Sequence, residues 1–250
     1  MTTRMVLIQG VLLALAVCAQ SSPAGDTNHR NNAAQVPPAS SAPVPAGSYK
    51  LDREHASLIF RVNHLGFSNY TARFKRFDAN LEFDPKHLAA SRVTATVDVG
   101  SLETDYPDLA KQDFNALLTG EQWFNAAKFP TMKFDSSRID VTGANTMRIH
   151  GELTLHGVTR PVDLEARFNG GYAGHPLDPN ARIGFSAHGT LLRSQFGIAY
   201  GIPAPGTSMG VGDEVNIIIE AEFTGPPLAG TSPPLAAASP SALARRQSLG

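Results

Sequence analysis

The chain reads as all-β, an antiparallel barrel of about eight strands with a short helical insertion. Three observations predict it. Apolar residues recur at every second position through most of residues 48–225, the period of strands with one wet and one covered face. A His156-Gly157 pair separates two such runs, as a tight hairpin turn does. One stretch, residues 104–120, breaks the alternation and carries helix signals instead,.

The elements follow in order. Leu58, Phe60, Val62 and His64 share one parity, which places a histidine on an apolar face. Tyr70, Ala72 and Phe74 alternate in one phase, and Phe77, Ala79, Leu81 and Phe83 in the other. The phase flips at Lys75-Arg76, so one long strand is expected to bend there at a bulge, as barrel closure requires. Val93 to Val99 is the next strand. In residues 104–120, Pro107, early acids at Asp105 and Asp108, spaced apolar residues and a closing Gly120 predict a helix,. Glu121 to Asn125 adds a further turn.

Met132–Phe134 and Ile139–Val141 bound a weaker strand, and Met147–Ile149 leads into the central hairpin. There Leu153 and Leu155 precede the turn. Val162, Leu164, Ala166 and Phe168 follow Pro161, which is expected to start the second strand,. Ile183, Phe185 and Ala187 form the next strand, and Val215, Ile217, Ile219, Ala221 and Phe223 the last.

The two ends differ in composition from this bracket. Residues 1–19 hold one cation, Arg4, and an apolar run too short to span a bilayer, the form of a signal peptide,. Val17-Cys18-Ala19 suits signal-peptidase cleavage. Leu15-Ala16-Val17-Cys18 also resembles a lipobox, so a lipid anchor at Cys18 is the rival reading. Either way the protein is expected to be periplasmic or secreted. Residues 20–47 and 226–250 are rich in Pro, Ala and Ser and read as a disordered linker and a disordered tail,. Residues 48–225 are left as one folded domain.

Composition narrows the chemistry. Lysine and arginine (21) nearly balance aspartate and glutamate (22), and no basic run interleaves with aromatics. Nucleic acid is therefore not an expected partner. Cys18 is the only cysteine, so disulfides and thiolate chemistry are not expected of the domain. The eight histidines are scattered, without the tight ligand spacing zinc sites use, and no metal site is predicted,. No Gly-x-Ser-x-Gly turn is present,, and no catalytic residue is assigned.

The inward parities combine phenylalanines with Ala72, Ala79, Ala95, Ala187 and Ala221. Small residues facing large ones leave space lined by carbon, an apolar tunnel rather than a solid core.

Several motifs occur in a fixed order. They are Asp52-Arg-Glu-His55, then Phe60-x-Val62-x-His64-x-Gly66-x-Ser68, Phe74-x-x-Phe77, Leu81-x-Phe83-Asp84, and Trp123-Phe124-Asn125 before Phe129-Pro130. Gly151-x-Leu153-Thr154-Leu155-x-Gly157-Val158-Thr159-x-Pro161, Arg193-x-x-Phe196-Gly197 and Val211-Gly-Asp-Glu-Val215 complete the set. In these the chain resembles the YceI-like family of secreted lipid-binding proteins, from about Tyr49 to Thr224. Ala72-Arg73 and the Pro- and Gly-rich loop before Gly212 depart from the pattern.

The resemblance implies a lipocalin-like barrel enclosing a long-chain isoprenoid lipid or isoprenoid quinone, for transport, storage or sequestration. It implies no cofactor and no stable membrane span, and it leaves a homodimer open. The ligand-binding residues expected are Phe60, Val62, His64, Phe74, Phe83, Trp123, Phe124 and Phe134, with Leu153, Leu155, Phe185, Arg193, Phe196 and Ile217. His64 is read either as a core residue satisfied by a carbonyl or as a contact to a polar head group. Arg193 is read either as a surface ion pair or as an inward guanidinium that needs a carboxylate or a ligand oxygen. Residues 104–120 and the Trp123-Phe124 turn are expected to cap one end. The rivals are an extracytoplasmic enzyme acting on a lipid and a solid-cored structural or interaction barrel.

Overall fold

The computed structural model describes residues 44–228 apart from Leu109 and Pro176. The expected signal peptide and most of the linker and tail lie outside the described residues. Ten strands form one antiparallel sheet that closes on itself, because the first strand pairs with the last. They are β1 (Gly47–His64), β2 (Ser68–Phe74), β3 (Phe77–Phe83), β4 (Arg92–Asp98), β5 (Leu102–Glu103), β6 (Thr131–Val141), β7 (Thr146–Leu155), β8 (Val158–Tyr172), β9 (Asn180–Leu192) and β10 (Val211–Pro227), with one helix, α1 (Phe114–Thr119), before β6.

β2 and β3 both pair with β1, β2 along its second half and β3 along its first four residues. They act as one long strand broken at Lys75-Arg76, the point where the sequence phase flips. Ser101 holds the break. Its carbonyl accepts the Lys75 N–H (3.1 Å) and its Oγ accepts the Arg76 N–H (2.9 Å). With the two-residue β5 set aside, the barrel wall is eight-stranded.

The central hairpin forms as the period-two pattern requires. His156 (φ 53°) and Gly157 (φ 76°) both take the left-handed conformation of a two-residue primed turn,. β8 begins at Val158, three residues before Pro161, which sits opposite Glu152. Val162, Leu164 and Ala166 all point to the buried side.

Several expectations are corrected. The helix is six residues long, not the whole of residues 104–120. Asp113 is its N-cap and accepts the Ala116 N–H at 2.9 Å, while Gly120 ends it as expected. Upstream, Asp105 has φ 52°, and the Thr104 N–H and hydroxyl are both taken by Asn115 Oδ1, so that stretch cannot continue the helix. β1 begins eleven residues before Leu58, and β10 runs to Pro227. The early half of β1 buries Tyr49 and Leu51 before a register shift between Asp52 and Ala56.

Strand directions give the barrel two ends. One gathers the β1–β2 turn, residues 104–130, the His156-Gly157 turn and residues 193–210, and is called the mouth. The other gathers the β3–β4, β6–β7 and β8–β9 connections. Three buried clusters fill the interior. One contains Phe74, Leu102, Leu118, Met132 and Leu155 on the mouth side, a second contains Tyr49, Leu81, Phe83, Ile183 and Phe223 at the far end, and a third joins Ile139, Met147 and Ala166 of β6, β7 and β8.

Candidate functional site

Between these clusters lies a cavity of about 610 Å³, within the range of roughly 300–1,000 Å³ typical of small-molecule sites. Its wall is carbon. Phe60 and Val62 from β1, Phe74 from β2 and Phe134 from β6 line it, as do Leu153 and Leu155 from β7 and Ile217 from β10. Ala79, Ala95, Ala187 and Ala221 also face it, so four of the five inward alanines leave room where larger side chains would close the barrel. Ala72 is buried instead and does not line it. Close approach of the strands keeps the wall thin at Gly151, where a Cβ would run into the Phe134 ring.

The floor is aromatic. Phe83 lies 6.2 Å from both Phe168 and Phe185, ring centre to ring centre, and Phe185 lies 5.3 Å from Phe168 and 6.2 Å from Phe223. Tyr49, fully buried, packs its ring edge against Phe83 and donates its hydroxyl to the Pro45 carbonyl at 2.7 Å. Burial pushes its pKa up to about 12, which keeps the phenol a donor. Outside the floor, Asp52 accepts from Arg182 (2.5 Å) and lies 3.0 Å from His55 Nδ1. His55, then Arg182, hold its carboxyl down to about 2.

The roof is aromatic too. Phe124 meets Phe60 and Phe74 edge-on at 5.9 and 5.5 Å, and Phe114 of α1 packs on Tyr70 and Tyr106. Asn115 ties α1 to the wall, accepting twice from Thr104 and donating to Glu103 at 3.2 Å. Trp123 stands against Tyr200 (5.3 Å) with the Arg193 guanidinium 5.3 Å over its ring. Helix α1 and the Trp123-Phe124 turn thus stand over the mouth, the end that residues 104–120 and this turn were expected to cap. The exposed residues that line the cavity, His64, Leu117, Gln122 and Tyr200, all lie at this end, so this is where it reaches solvent.

Three expected site residues sit differently from the rest of the wall. Arg193 lines the cavity but is buried, 5% exposed, and is paired with no surface carboxylate. Its Nε donates to Gly212 O, Nη1 to Ile198 O and Tyr200 O, and Nη2 to Val211 O, at 2.8–2.9 Å. Two carbonyls of the preceding loop and two at the start of β10 thereby take four of its five N–H donors, and the cation still edges the cavity,. Burial pushes its pKa below the usual arginine value. His64 is not in the core. A register shift after Val62 leaves it exposed at the strand end, on the cavity rim. Phe196 does not line the cavity but packs, 1% exposed, behind the wall on the turn Arg193–Phe196.

Among the described residues two buried side-chain nitrogens lack a hydrogen-bond partner, Trp123 Nε1 and His156 Nε2. His156 donates its Nδ1–H to the Phe196 carbonyl at 3.1 Å, and Nε2 is the nitrogen left without a partner. Trp123 is a donor left unmet in the roof, and sequence reasoning had no signal for it. Asp52, His55 and Glu222 bring ligand atoms within 4.8 Å of one another, but Arg182 already occupies Asp52 and opposes a cation there.

Comparison with known proteins places this geometry. The family model described as the YceI-like domain matches residues 49–223. The chain belongs to the YceI-like family. A UPF0312 protein of Enterobacter sp. (strain 638) is 37% identical over 182 residues, 71% of this chain and 86% of that protein. One of Yersinia pestis (strain Pestoides F) is 34% identical over 180 residues, with the same coverage. Among solved structures, Burkholderia cenocepacia BcnA has the same fold, with a TM-score of 0.58 at 24% identity over 69% of this chain and 98% of that one. A Campylobacter jejuni YCEI protein matches with a TM-score of 0.54 at 28% identity, over 66% and 90%. Among the described residues of this YceI-like chain, no helix is long and apolar enough to cross a membrane.

Proposed function

We propose that the barrel binds a long apolar chain of the polyisoprenoid or isoprenoid-quinone type and shields it from water, for transport, storage or sequestration outside the cytoplasm. The observation that carries this is the cavity of about 610 Å³, lined by carbon between an aromatic floor and an aromatic roof. Each CH₂ moved into such a space gains roughly 0.8 kcal/mol before ordering costs. Chain length therefore sets affinity, with little need for directional bonds. Most polar liners, His64, Tyr70, Tyr106, Gln122, Arg193 and Tyr200, are at the mouth, where a polar head would remain near water, while Ser91 at the far end already accepts the Asp84 N–H.

The same arrangement supports binding over reaction. Arg193, the buried cation of the site, spends four of its five N–H donors on backbone carbonyls,, and the wall around the chain carries no paired nucleophile and base among the described residues. Export rests on the apolar run of residues 1–19, with acylation at Cys18 as its variant. Titration of the delipidated domain with prenols of increasing length, read by Trp123 fluorescence, tests the reading. Affinity rises with each added isoprene unit and levels when the cavity is full. Affinity independent of length, or no uptake at any length, would overturn it.

A further inference from the structure

Exposed apolar side chains stand around the mouth of the cavity. Phe67 is 85% exposed, Met209 74%, Tyr200 52% and Leu117 38%, and all four sit on the rim. The turn carrying Phe67 and the loop carrying Met209 touch, since Leu65 N–H donates to Gly210 O at 2.9 Å and Gly66 lies against Ser208. Tyr200 packs on Trp123, and Tyr200 and Leu117 also line the cavity. Exposed carbon thus stands on the rim beside a cavity whose own wall is carbon. Turn tips ordinarily carry Gly, Asn, Asp and Ser. Here Leu65 and Phe67 take such places, and Met209 stands exposed in the loop beside them.

We propose that this rim docks on a lipid bilayer, with Phe67 and Met209 as the inserting side chains, so that a chain passes between membrane and cavity without crossing water. This rests on the lipid-binding reading, which makes the occupant's reservoir a membrane. The dimensions favour a bilayer over a protein. The four exposed side chains offer on the order of 500 Å², below the roughly 800 Å² that each partner of a stable protein interface buries. A fluid interface needs no matching surface, only side chains that reach it. Charge does not direct the contact. Exposed Asp108, Asp113 and Glu121 lie among Lys111 and Lys128, and Asp105 is paired with Arg73. The surface proposed is therefore that of an uncharged or zwitterionic lipid, and docking is insensitive to salt.

The test is sedimentation of the full domain with phosphatidylcholine vesicles, comparing the unaltered chain, the double variant Phe67→Ser/Met209→Ser, and Leu177→Ser. Leu177 is 93% exposed at the far end and controls for exposed carbon in general. The double variant should lose partitioning by about a hundredfold, tenfold per side chain, while Leu177→Ser partitions like the unaltered chain. Loading of a prenol from vesicles should slow in the double variant, and final occupancy from an ethanol solution of prenol should stay the same. Equal vesicle binding by all three proteins overturns the dock. So does a rim-dependent dimer with no vesicle binding. Normal loading from ethanol without vesicle binding sinks the dock and leaves the lipid-binding reading standing. Rim-dependent vesicle binding without loading from either source supports the dock and refutes that reading.

Discussion

Replacing Ala187 with phenylalanine adds about six carbons to a wall position that lines the cavity, between Ala166 on β8 and Ile219 on β10. In a packed core such an insertion forces neighbours aside and costs about 1–3 kcal/mol. For a domain of this size that lowers Tm by roughly 3–10 °C. In a cavity of about 610 Å³ the ring has somewhere to go, and the empty protein should melt within a few degrees of the unaltered one. Its cost falls on the ligand instead. Six carbons displace about one isoprene unit, and at roughly 0.8 kcal/mol per carbon the gross loss is about 5 kcal/mol. Part is recovered by contact with the new ring, which leaves a weakening of at least about a hundredfold. The assays are thermal unfolding of the delipidated variant and prenol titration. A large fall in Tm with unchanged prenol affinity would refute the reasoning, because Ala187 would then face packed side chains rather than a lipid.

Four further outcomes follow from the geometry. Arg193→Met leaves four carbonyls without a donor, so stability should fall by about 3–5 kcal/mol, with residues 198–212 the first cut in limited proteolysis. Trp123→Ala removes the ring that stands against Tyr200 and Arg193, and lipid release measured by transfer to acceptor vesicles should speed up; unchanged release counts against the roof as a lid. Gly151→Ala drives a Cβ into the Phe134 ring and the Asp135 carbonyl, which should cost about 1–3 kcal/mol in urea unfolding. Asp52, depressed to about 2 by His55 and Arg182, contributes stability that is complete above its unfolded pKa near 4 and fades as pH falls toward 2. About 2 kcal/mol should be lost across that window, and Asp52→Asn should abolish that part of the pH dependence.

Much of the fold was legible because strands announce themselves by period two. The phase flip at Lys75-Arg76 marked the break between β2 and β3, and His156-Gly157 marked the hairpin turn. The early half of β1 was not legible, since the register shift between Asp52 and Ala56 interrupts the alternation that Tyr49 and Leu51 begin. The helix was overdrawn because Pro107 and the early acids satisfy start signals locally, whereas the Thr104–Asn115 hydrogen bonds that forbid it span eleven residues.

The wall of the site followed from parity, so the phenylalanines and alanines that face the cavity could be named. Parity fails where strands end. His64 sits at such an end, and Phe196 on a helical turn whose side chains no longer alternate. Arg193 could be placed inward, but two of its partners, Ile198 and Tyr200, come from irregular backbone and two from the very start of β10, carbonyl directions no residue pattern encodes. The exposed Phe67 and Met209 were equally silent, because exposure at a turn tip depends on which loops meet there.

Native mass spectrometry of the domain purified without detergent tests the central claim most directly. The account predicts a bound mass in stoichiometric amount, released by organic solvent as a prenyl lipid. A bare polypeptide mass that stays bare after incubation with prenols and isoprenoid quinones would contradict it.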